Sequence, residues 1–112
     1  HLLLVGSAYS RATPADDALL SGFPDEISLV LRRGAATLDA ACINVGANDF
    51  DGTFICEGAP FTYVGSSNNT DRSIERLPGG AAGNATDTGD TTADFTLITP
   101  SAPQNLQSPA TP

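Results

Sequence analysis

Few side chains in this sequence have the chemistry to do more than fold: two cysteines, a set of aspartates, two asparagines in glycosylation sequons and one histidine. Cys42 and Cys56, in a chain without lysine that carries sequons, read as a disulfide. Two buried free thiols or metal ligation are the alternatives, and zinc would want His or further Cys nearby. Asp87, Asp90 and Asp94, with Asp71 if the fold brings it close, carry the hard oxygens that Ca²⁺ takes. Their spacing matches neither an EF-hand nor a nonapeptide repeat, so the competing reading is a solvated loop whose aspartates make turns. Asn68-Asn69-Thr70 and Asn84-Ala85-Thr86 fit the N-glycosylation sequon, although a chain rich in Asn and Thr also produces such triplets by chance. His1 has an amine and a ring nitrogen for copper, but no second histidine exists to complete a site, and a first residue other than Met points to a trimmed or processed end.

Catalysis has little to draw on. No serine sits in a Gly-x-Ser-x-Gly turn, no internal histidine can act as base, and no two carboxylates stand out as a glycosidase pair. The sequence therefore predicts a protein that is not an enzyme and requires no cofactor, calcium being optional.

The elements that must position these groups read mostly as strands. Leu2-Leu3-Leu4-Val5 is a continuous apolar run of the kind an interior strand shows, and residues 10–23, with Pro14, Asp16-Asp17 and Ser21-Gly22, read as a surface crossing. Ile27, Leu29 and Leu31 alternate with Ser28, Val30 and Arg32. After the turn Arg33-Gly34-Ala35-Ala36, Leu38, Ala40 and Cys42 alternate with Asp39, Ala41 and Ile43, which makes a β-hairpin. Residues 46–65 mix turn formers with Phe50, Phe54, Phe61 and Tyr63, the composition of a structured loop packed by its aromatics. Residues 66–71 form a polar turn. A strand at residues 73–77, a polar loop at 81–93 and a strand at 95–98 follow, with Phe95 and Leu97 expected on one buried face. Pro103, Pro109 and Pro112 mark residues 101–112 as an extended tail or linker beyond a domain at 1–100.

Composition agrees with that reading. Eleven glycines, eight prolines and no Met or Trp in 112 residues favour short strands and turns over long helices, hence an all-β fold. Thirteen acidic residues against five arginines give a net charge of -8, a field that repels a phosphate backbone and argues against nucleic acid as a direct ligand. No apolar run approaches the roughly 20 residues of a membrane-spanning helix.

Ser73-Ile74-Glu75-Arg76-Leu77-Pro78-Gly79-Gly80, Asp87-Thr88-Gly89-Asp90-Thr91-Thr92-Ala93-Asp94-Phe95 and Thr99-Pro100-Ser101-Ala102-Pro103 together resemble the closing half of bacterial lamin-tail domains. That family has a Ser-Leu-x-Arg strand, an Asp-x-Asp-Asp-Asn-x-x-Asp-Phe loop and a Thr-Pro-x-Pro exit. Residues 1–6, the hairpin at 27–45 and Glu57-Gly58-Ala59-Pro60 are similar to its upstream half. Thr91 and Gly89 replace an Asn and an Asp of the family's acidic loop, and the family's opening strands have no counterpart.

The resemblance implies an immunoglobulin-like β-sandwich that acts as a non-catalytic structural or protein-interaction module, outside the cell or on its surface. The missing strands imply a sheet edge completed from elsewhere, by the chain's own upstream segment or by another copy in a filament-like assembly. Residues 101–112 are the nearest strand-like piece to donate, and a sandwich that closes on its own is the remaining alternative. An accessory domain of a larger secreted nuclease or phosphatase is the alternative function.

Overall fold

A computed structural model describes residues 3–6, 9–19, 26–45, 54–63 and 71–111. His1 and Asn68, and half of the predicted aromatic loop, lie outside these residues. The fold is all-β, and the described residues form seven strands in three small sheets with little helix.

The hairpin is the largest element. β3 (Ile27–Arg33) and β4 (Ala36–Val45) run antiparallel, with Ile27 opposite Ile43 and Arg33 opposite Ala36. Gly34 has φ 62 whereas no other residue type in the described chain has positive φ, which is the pattern of a type II′ turn with Gly first. Leu31 faces Asp39 and Arg32 faces Thr37, so Leu38 is an extra residue and the bulge lies on β4. β5 (Phe61–Tyr63) joins the far side of β4 in parallel, which leaves β3 at the sheet's edge.

β6 (Ser73–Arg76) and β7 (Phe95–Ile98) form the second antiparallel pair, Arg76 opposite Phe95 and Ser73 opposite Ile98. Between them the predicted polar loop holds a 3-10 turn at Gly80–Ala82 and a single helical turn, α1 (Thr91–Asp94). α1 packs against β4 and β5 and so bridges the two larger sheets.

The interior strand expected at residues 2–5 is shorter and less buried than its composition suggests. β1 (Leu4–Val5) pairs in parallel with β2 (Asp17–Ala18), Val5 is buried and Leu4 points outward. The surface crossing at 10–23 thus contributes a strand of its own. The shared buried face expected of Phe95 and Leu97 is also not formed: Phe95 is half-buried against Arg76, and Leu97, beyond that cover, is 39% exposed.

The tail lies against the body of the protein. Asn105 is buried and donates through Nδ2 to the Pro14 carbonyl, while the Leu106 amide donates to Asp16. The same Asp16 oxygen accepts from the Leu3 amide.

Among the described residues the buried apolar side chains are Val5, Ala40, Ala41 and Cys42, and the buried polar ones are Asn44, Thr91, Asp94 and Asn105.

Candidate functional site

Two of the candidate aspartates, Asp87 and Asp94, converge with Asp39 on one arginine. Arg76 ends β6, and its side chain, 14% exposed, crosses to the hairpin, where Nη2 donates to both oxygens of Asp39 at 2.8 and 2.7 Å. Nη1 donates to the Thr86 carbonyl at 3.0 Å and lies 3.5 Å from Asp94 and 3.6 Å from Asp87. The guanidinium also stacks over Phe95, 4.8 Å from the ring centroid. One cation thus serves three carboxylates and an aromatic face.

Asp94 is 1% exposed. Burial alone would push its carboxyl up, yet the Thr88 hydroxyl and amide, together with the Arg76 charge, hold it below the ordinary range. Glu57 shows the opposite balance: burial and the neighbouring Asp39 and Asp87 charges raise it, with Arg76 only partly compensating.

Asp90 caps α1, its side chain accepting from the Thr92 amide and, across the chain, from the Ala59 amide. The arch at 57–60 completes the joint. Glu57 and Ala59 carbonyls accept from the Thr91 and Thr92 amides, and the Thr91 hydroxyl donates to the Glu57 carbonyl. Gly58 sits there at φ 61, where an added Cβ would lie 2.8 Å from the Asp90 backbone, so only glycine fits.

Cys42 on β4 and Cys56 at the foot of this arch are joined in a disulfide, Cα to Cα 5.3 Å. The bond fixes the arch to the hairpin, and Ser28 reinforces it by donating to the Ile55 carbonyl. The cysteine pairing expected from the sequence is therefore present.

The three aspartates considered for calcium each have a protein partner: Arg76 for Asp87, the helix cap and Ala59 for Asp90, Thr88 and Arg76 for Asp94. Among the described residues no group of three or more His, Cys, Asp or Glu side chains is placed to hold a metal. Asp71 is elsewhere. Arg11 and Ser101 bind it and lower its pKa to about 2.

A groove of about 370 Å³ opens along β6. All four β6 residues line it, from both faces of the strand, so the groove meets the strand edge-on. Among the described residues the strand partner of β6 is β7 alone, which places the groove along the other edge. Leu3 and residues 102–104 form one part of its wall, and Gly83 and the exposed Asn84 another. Asn84, the second sequon asparagine, thus stands at the groove.

Sequence reasoning passed over Arg76 as a hub and Asp39 as its partner. The available signal was Asp39 itself, a charge on the row that also carries Ala41 and Ile43. Among the described residues no helix is long and apolar enough to cross a membrane. No protein-family model matches this chain, and no curated protein or solved structure matches it either.

Proposed function

We propose that this chain is a non-catalytic structural or protein-interaction module of the cell exterior, an immunoglobulin-like, lamin-tail-like sandwich completed by an extended segment that another copy adds along β6. The observation carrying this reading is the groove itself, a strand edge with one described neighbour opening onto about 370 Å³. Strand addition suits such a place because main-chain groups supply the hydrogen bonds and flanking pockets the side-chain selectivity. The disulfide adds weak support for an oxidising location. The acidic cluster supports a passive role, since its carboxylates are engaged in holding the fold.

Hydrogen exchange followed by mass spectrometry tests the reading. In assembled protein the amides of residues 73–76 become protected relative to dilute protein, and Ala102→Trp, an exposed change on the groove wall, prevents assembly without lowering the melting temperature. Equal exchange of these amides in the two states, or an Ala102→Trp chain that assembles normally, overturns it.

A further inference from the structure

We infer that β3 is a second, self-complementary docking edge through which two copies of the chain pair antiparallel about a two-fold axis. β3 ends the order β3-β4-β5, so one row of its backbone groups has no strand neighbour among the described residues. Its bulge lies on β4, and β3 itself runs in unbroken alternation from Ile27 to Arg33. Its side chains are unusually open for aliphatic groups: Leu29 is 45% exposed and Leu31 61%.

The occupant follows from the order of charges along the strand. Glu26 precedes it, five residues without charge occupy its middle, and Arg32 and Arg33 close it. Place a second β3 antiparallel with Leu29 on the axis, and Leu29 meets Leu29, Ile27 meets Leu31 and Glu26 meets Arg32. Because cross-strand pairs share a face, Ile27, Leu29 and Leu31 of both copies then form one aliphatic stripe, with Glu26 and Arg32 paired on the opposite face. Moving the axis to Val30 would keep Leu29 against Leu31 but set Ile27 against Arg33 and take Glu26 off Arg32.

Arg32 and Arg33 are exposed and make no ion pair among the described residues, in a chain with five arginines and a net charge of -8. An isologous contact of this kind closes on itself as a dimer with one continuous six-stranded sheet. It uses a different edge from the β6 groove and stands or falls separately.

Charge exchange tests it on the whole 112-residue chain. Sedimentation equilibrium finds a concentration-dependent dimer. Glu26→Arg sets Arg against Arg twice, Arg32→Glu sets Glu against Glu twice, and each weakens the dimer roughly ten- to thirty-fold. An equimolar mixture of the two variants restores association as a heterodimer, because each copy then supplies what the other lacks. Mixing separates this outcome from simple misfolding.

A chain that stays monomeric to about 1 mM overturns the proposal. So does a dimer indifferent to either reversal, or a mixture no tighter than its parts. Stronger association on losing the Arg32 charge would also overturn it, showing that the arginines keep edges apart.

Discussion

The Arg76 cluster and the outer edge of the hairpin invert the usual division between inside and outside. At the first, Arg76 and Asp94 lie mostly out of water and Asp39 partly so, while at the second Leu29 and Leu31 stand in it. The charged groups are immobilised by partners and the aliphatic ones have few. Charge at the cluster serves to build the molecule, and apolar surface is left open at the hairpin's edge.

The most severe way to break that contrast is Arg76→Met, which keeps much of the length and leaves Asp39, Asp87 and Asp94 without their cation. A loss of about 3–5 kcal/mol is expected, read as a fall in the urea midpoint, and a loss under about 1 kcal/mol would mean that water reaches the cluster. The paired change Cys42→Ser with Cys56→Ser frees the arch from the hairpin and costs about 3 kcal/mol through the unfolded chain, measurable in the same titration.

Acidification should act next. Asp94 lies below its ordinary value of 3.8, and Asp71 below it at about 2, so the stability they contribute is full above that value and is lost as pH falls through their folded-state values. Glu57, raised from 4.5, has the opposite sign and favours the fold most when protonated. With two groups against one, the urea midpoint should fall between about pH 4 and pH 2, and Asp94→Asn should flatten that fall.

Asp90→Ala removes a helix cap and should cost about 1 kcal/mol, with added calcium leaving the melting temperature of the parent chain unchanged. Smallest of all is Leu31→Ser. At low micromolar concentration it should move the unfolding free energy by no more than about 0.5 kcal/mol, as for a surface site, although it replaces a leucine in the largest sheet.

The same contrast explains what could be read from the sequence. The hairpin was legible because alternation and a two-residue turn led by Gly34 are local signals, and β6 and β7 were legible as runs between turn formers. The disulfide was legible because only two cysteines exist. Burial was harder to read. Alternation assigns Phe95 and Leu97 to one face, but how far along that face the cover extends depends on Arg76, which reaches Phe95 and stops. The cluster itself rests on a contact between Asp39 and Arg76, 37 positions apart, and no local pattern encodes such a pairing. The aspartates were visible as oxygen donors. That their acceptor capacity is met within the chain depends on Thr88, Ala59 and Arg76, each ordinary in its own neighbourhood.

Asp16 has a mechanical consequence. One of its oxygens accepts from the amides of both Leu3 and Leu106, the latter 90 positions away, and Asn105 secures the same place through the Pro14 carbonyl. Closing a loop of that span costs on the order of 4 kcal/mol of chain entropy, which makes this a late contact in folding. Tension applied through residues 3 and 111 would load this clasp before it reached the disulfide or Arg76. The clasp would give way first, lengthening the molecule while the hairpin and its cluster stayed folded.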